Sequence, residues 1–276
     1  MHFLTGSDRL PLTCTREGAC CHGHSIWVNP WEVARLAAGM NLSVAEFSAR
    51  HLDCRGTRLR FDGPPDKRGK SGCSLYSPTA GCTRHPDRPF TCRTYPLGRS
   101  RLEGAVRYYH VDAGLPCREL CPSVVDLPEM TVDDYLAGQD VAAGEAAHDA
   151  YARVIYGMVA VAASICRLGG ETVDRARVDR FLESCRIATP ETRSTQLPDD
   201  WMALATAPQG LDISSPVAFA EAHGQRMTHV VQRAVSQIED GLTDAALLYV
   251  ALAVHLAPTV GADLLAMAGM LAETSG

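Results

Sequence analysis

Apolar positions in the C-terminal half recur at helical spacing. Met227, Val230, Val231, Ala234, Val235 and Ile238 fall at i, i+3, i+4, i+7, i+8 and i+11, laying one apolar stripe along a helix. Residues 140–168 form an alanine-rich pattern that ends at Gly169-Gly170, a glycine stop. Before it, Thr131 is followed three residues later by Asp134, an N-cap signal for a further helix. Residues 245–262 hold no Asp, Glu, Lys or Arg and could be mistaken for a membrane span. His255 interrupts that run, Pro258 divides it into two pieces of buried-helix length, and flanking Lys or Arg is missing, so a buried bundle helix is expected. No repeat of solenoid period is visible.

The first half reads differently, as short elements between turns. Ser25-Ile26-Trp27-Val28 suggests a short strand. Asn29-Pro30-Trp31-Glu32 supplies an N-cap, a proline at the first helical position and a reciprocating Glu, and the helix should stop at Gly39. Ser43-Val44-Ala45-Glu46 is a second capping box, opening a helix to about Leu52. Residues 57–62 alternate like a strand, Gly63-Pro64-Pro65 to Gly72 is a loop, and Gly104 to Asp112 is another strand. The expected fold is mainly α with short β. An irregular cysteine-rich metal-binding domain (residues 1–128) is followed by a helical bundle domain (residues 129–276).

Composition changes this picture in two respects. With 46% hydrophobic and 21% charged residues in 276, the chain is globular rather than disordered. The net charge of −6 argues against a surface built for nucleic acid. Yet residues 50–107 carry 13 basic and 5 acidic side chains, and this block contains many of the cysteines, so it suits the neutralising of thiolate charge.

Cysteine is the informative residue. Nine of the 11 lie between Cys14 and Cys121, a density that calls for disulfides, metal or redox chemistry. The N-terminus lacks a basic start followed by an apolar run, so no secretory signal is visible and a cytoplasmic location is expected. In a reducing compartment, and with an odd count, metal is the better reading. Thiolates are soft ligands that suit zinc and iron–sulfur clusters. The candidate ligands are Cys14, Cys20, Cys21, Cys73, Cys82, Cys92, Cys117 and Cys121. Neighbours on an extended chain face apart, so Cys20 and Cys21 should divide between ligand and other roles, or between two centres. Cys117-x3-Cys121-Pro122 echoes the end of a bacterial ferredoxin run. His22, His24 and His85 are possible nitrogen ligands, although a lone histidine is more often a hydrogen-bonding or surface residue. Arg88 and Arg93, with Arg99, are candidates to donate hydrogen bonds to sulfur and so to bind the cofactor. Cys166 and Cys185 fall in expected helices and read as core thiols, while Cys54 stays open between ligand and core.

The spacing Cys14-x2-Glu17-x2-Cys20-Cys21, then Cys73-Ser-Leu-Tyr76, then Gly81-Cys82-x3-Pro86-x-Arg88-Pro89-x2-Cys92-Arg93-x-Tyr95-Pro96 resembles the YkgJ-type cysteine-cluster family. Its opening motif is C-x2-C-x2-C-C, and Glu17 stands here at the second cysteine's place. The resemblance covers about residues 12–125. It implies an iron–sulfur cluster (alternatively zinc), in a family that includes oxidoreductases and relatives of flagellin lysine-N-methylases. It leads to the expectation of a cytoplasmic protein with one 4Fe–4S centre, serving electron transfer or a modification reaction. The alternatives are a structural zinc module whose helical half binds a protein partner, and a lysine-methylase-like enzyme whose helical half receives a protein substrate. No dinucleotide fingerprint, Walker loop, nucleophile elbow or C-x3-C-x2-C run occurs, so any activity belongs to the metal centre.

Overall fold

The computed structural model describes residues 3–10, 18–102, 105–110, 129–193, 199–236 and 241–272. Cys14, Glu17, Cys117, Cys121 and Ile238 lie outside the described residues. The fold is mainly α, with short strands in small antiparallel sheets. A boundary at residue 128 follows the sequence, whereas packing groups the chain into two units that are each discontinuous: residues 1–26 with 59–145, and residues 27–58 with 146–276.

The first unit is built from short pieces. Phe3–Leu4, Ala105–His110 and Leu97–Leu102 make a three-stranded antiparallel sheet in that spatial order, with Phe3 opposite Tyr109 and Leu97 opposite His110. Arg9–Leu10 pairs with Met130–Thr131, and Tyr76–Ser77 with Gly81–Cys82. A small core of Leu97, Val132 and Tyr135 takes in Leu4, Leu10, Tyr108, Met130 and Leu136. Thr131 caps the Val132–Gly138 helix by accepting the Asp134 backbone N–H at 3.0 Å, as the local sequence indicates.

The second unit holds the large core. Its centre is built from the Ile155–Cys166 stretch of the Ala142–Leu168 helix, from Arg175–Ile187, and from Met227 and Val231 of Pro216–Val235. Gly241–Leu256 and Leu264–Ala272 complete it. Cys166 and Cys185 are buried members of this core, in keeping with their reading as core thiols. Gly241–Leu256 is followed by a 3-10 turn, Ala257–Val260, so Pro258 ends the α-helix where expected. The helices Ala142–Leu168 and Gly241–Val260 are long and apolar enough to cross a membrane, and the second is 72% buried inside the protein, as a core helix is.

Both capping boxes form. Asn29 Oδ1 accepts the Glu32 backbone N–H at 3.1 Å while Glu32 Oε2 accepts that of Asn29 at 2.9 Å, opening Pro30–Gly39. Ser43 and Glu46 do the same for Val44–His51. The expected strand at residues 25–28 reduces to a single bridge from Trp27 to Arg58, and that at 57–62 to Arg58–Leu59. The reason is the partner: Leu52–Asp53 offers only two residues to pair with. Buried polar groups in this unit are satisfied across helices. Tyr151 donates its hydroxyl to His223 Nδ1 at 2.9 Å, and His223 Nε2–H donates to the Leu204 carbonyl at 2.7 Å. A carbonyl can only accept, so it fixes this tautomer.

Candidate metal centre

The cysteine-bearing turns of the first unit are tied together by backbone. Gly18, at φ 78°, precedes a 3-10 turn, Ala19–Cys21, in which the Cys21 N–H returns to the Gly18 carbonyl at 2.9 Å. Only glycine fits there, because a Cβ would stand 2.4 Å from the Tyr76 ring. The Cys21 carbonyl then accepts the Cys73 N–H at 2.7 Å, which joins the first motif to the second. Cys73 begins a tight turn: its carbonyl accepts the Tyr76 N–H at 2.9 Å and its Sγ accepts the Leu75 N–H at 3.5 Å. Tyr76 is in register with Cys82 across the two-residue hairpin, which brings the third thiol alongside.

Cys92 sits in the one-turn helix Phe90–Thr94. That helix is held by Arg93, whose guanidinium donates to the carbonyls of Arg88 at 3.1 Å and Gln139 at 2.8 Å, and to that of Pro86. Tyr135 donates its hydroxyl to the Tyr95 carbonyl just after it, before the cis Tyr95–Pro96 bond. Through these bonds Arg93 shapes the loop that carries Cys92.

Three thiols act electrostatically on a fourth, Cys92. Burial pushes the Cys92 thiol well above the ordinary range, and the neighbouring sulfurs of Cys73, Cys20 and Cys82 push it further, while the Arg88 charge opposes them. Burial is also the main cause at Cys73, whose thiol is pushed up to about 11, with Cys82 adding to it. Cys21 contributes its backbone to this arrangement. Among the described residues no disulfide is formed, and no group of three or more His, Cys, Asp or Glu side chains is arranged so that it could hold a metal ion. The donor chemistry nonetheless fits a soft metal: partly buried, mutually repelling thiols cannot all ionise together unless positive charge lies among them.

Arg88 is placed as that reading asks. Its Nη1 lies 3.1 Å from His85 Nε2 and its other terminal nitrogen donates to the Gln139 side chain, which steadies the charge beside Cys92. Because guanidinium only donates, His85 Nε2 is the acceptor in this pair and is engaged there. His24 packs edge-on to Tyr95 at 5.8 Å, with its pKa lowered by burial and by Arg68. Cys54 belongs to the other unit, on the turn after Leu52–Asp53, where burial and the Asp53 carboxylate push its thiol up to about 11. The roles of Gln139, Gly18 and the Leu75 N–H were not anticipated. Gln139 is distant in sequence, and backbone donors carry no residue signature.

Residues 13–113 match the model of the CxxCxxCC family, described as a "putative zinc- or iron-chelating domain", which is the family that the motif spacing resembles. The match includes Cys14 and ends before Cys117 and Cys121. No curated protein and no solved structure matches the chain.

Proposed function

We propose that this domain holds an iron–sulfur cluster, of the 4Fe–4S type, on the thiolates of Cys20, Cys73, Cys82 and Cys92, in a cytoplasmic protein that uses it for electron transfer or a modification reaction. The observation that supports the reading is the charge effect of Cys20, Cys73 and Cys82 on Cys92, with the Cys73 N–H bonded to the Cys21 carbonyl and Tyr76 in register with Cys82. Such a cluster supplies one-electron chemistry when bound. The chain's own part is to present the sulfurs, to offset their charge through Arg88 and to donate the Leu75 N–H to Cys73. Cys14, Cys117 and Cys121 remain candidates for a second centre or for the surroundings of the first.

An all-sulfur set suits zinc as well, and iron is preferred on the family resemblance. Metal and acid-labile sulfide analysis of the full chain, purified without oxygen, separates the two. Brown protein with iron and sulfide in about equal amounts supports the cluster. Colourless protein with stoichiometric zinc replaces it with a structural zinc module. Protein holding neither, with its cysteines paired as disulfides, removes both.

A further inference from the structure

His22 stands between two cysteine-bearing stretches, and its surroundings say what it does. The residue is 5% exposed. Its Nδ1 lies 2.9 Å from the Gly18 carbonyl, so that nitrogen carries the proton and donates across the Ala19–Cys21 turn. The ring meets Tyr76 edge-on at 4.5 Å, and the remaining nitrogen, Nε2, lies beside Gly72, where a Cβ would come within 3.1 Å of it. His22 is also bridged to Gly72, and Gly23 N–H donates to the Ser71 carbonyl at 3.1 Å. The imidazole therefore fills a slot between the turn that carries Cys20 and the strand-like segment that leads into Cys73.

We infer that His22 is a positioning residue of the metal centre: through Nδ1–H it locks the Cys20-Cys21 turn in the form that presents Cys20 to Cys73, Cys82 and Cys92. This rests on the reading of those four thiols as the centre. The Nδ1–H donates to the Gly18 carbonyl, which leaves Nε2 beside Gly72 as the nitrogen by which a ligand role would show itself. The hydrogen bond, more than the ring, does the positioning. It closes on the same carbonyl as the Cys21 N–H, so both fix one turn. Loss of a group that orients a ligand in this way weakens metal binding by about 10- to 100-fold.

The test is Co2+ binding to the full chain by competition with a chelator, read by the thiolate-to-cobalt charge-transfer bands. Asparagine can place an N–H where Nδ1–H stands but lacks the ring, whereas phenylalanine keeps the ring without the donor. His22→Asn should bind Co2+ within a few-fold of the wild type and with unchanged bands, while His22→Phe should bind about tenfold more weakly or worse. Bands that shift in His22→Asn toward a different donor set would show that the imidazole is a ligand and overturn the inference. Equal affinity in wild type and His22→Phe would overturn it also. A wild type without thiolate–cobalt bands would instead sink the proposed centre itself, and this inference with it. That failure is recognisable because it appears before any substitution.

Discussion

Unfolding of the full chain, followed by its helix signal, should show stability falling steeply as pH drops from 6.5 to about 4.5. His223 is wholly buried, and burial holds its pKa down at about 4, with Arg226 adding to the effect and its bond to the Leu204 carbonyl opposing it. His255, 4% exposed, is likewise lowered to about 4 by burial, with the Arg55 charge adding to it. In the unfolded chain both titrate near 6.5. Above that value both states are neutral, and the stability is fully present. Between 6.5 and 4 the unfolded chain takes up protons that the folded one refuses, so stability is lost as pH falls through this window. Each histidine contributes about 3 kcal/mol on this basis, several kcal/mol together, a large part of the ordinary total. Most carboxylates titrate below this range, which keeps the histidine effect visible. Urea midpoints at pH 7 and pH 4.5 should therefore differ strongly. The difference should shrink in His223→Gln, whose amide retains a donor and an acceptor for Leu204 and Tyr151. A flat profile, or one unchanged by that substitution, would contradict the buried neutral histidine.

The second large effect is expected at the thiols. Replacement of Cys92 by serine removes the sulfur on which the other three act, and should weaken metal binding by more than about 100-fold, beyond what loss of an orienting neighbour costs. Cys20→Ser, Cys73→Ser and Cys82→Ser should behave in the same way. Cys21→Ser should be mild, since Cys21 serves through its carbonyl to the Cys73 N–H. Cys166→Ser and Cys185→Ser should leave metal content unchanged, because both are packed in the helical core, and so should Cys54→Ser. Metal per chain, measured after gel filtration against a chelator, checks the series. Because the described part of the first unit is built from short strands and turns, stripping the metal should also loosen residues 59–102, while the helices of the second unit persist. If Cys166→Ser or Cys185→Ser empties the site while Cys92→Ser does not, the assignment of ligands is wrong.

Local signals were the legible part of the fold. Asn29 with Glu32 and Ser43 with Glu46 form the boxes that their spacing announces, because a capping box needs only four residues and no tertiary partner. The apolar face at Met227 and Val231 packs inward for the same reason: a 3.6-residue period is set within one helix. The short strands were less legible. A strand's length depends on its partner, and Arg58–Leu59 meets only Leu52–Asp53. The assignment of residues 27–58 to the helical unit was hidden too, since that section lies within the cysteine-rich stretch of sequence. At the candidate centre, spacing singles out the thiols, but the joining of the Cys20-Cys21 turn to Cys73 depends on a backbone bond from the Cys73 N–H to the Cys21 carbonyl, which any residue type but proline could make. The charged residues divided on similar grounds. Arg88 lies by Cys92, whereas Arg93, five residues along in the same motif, turns to three carbonyls.

The central claim is that sulfur, from these thiols, surrounds a metal. X-ray absorption at the metal edge of the protein as isolated without oxygen measures this directly. The expected result is a first shell of sulfur alone, at about the 2.3 Å of a metal–thiolate bond, with metal–metal scattering behind it if the centre is a cluster. A first shell of nitrogen and oxygen would contradict it.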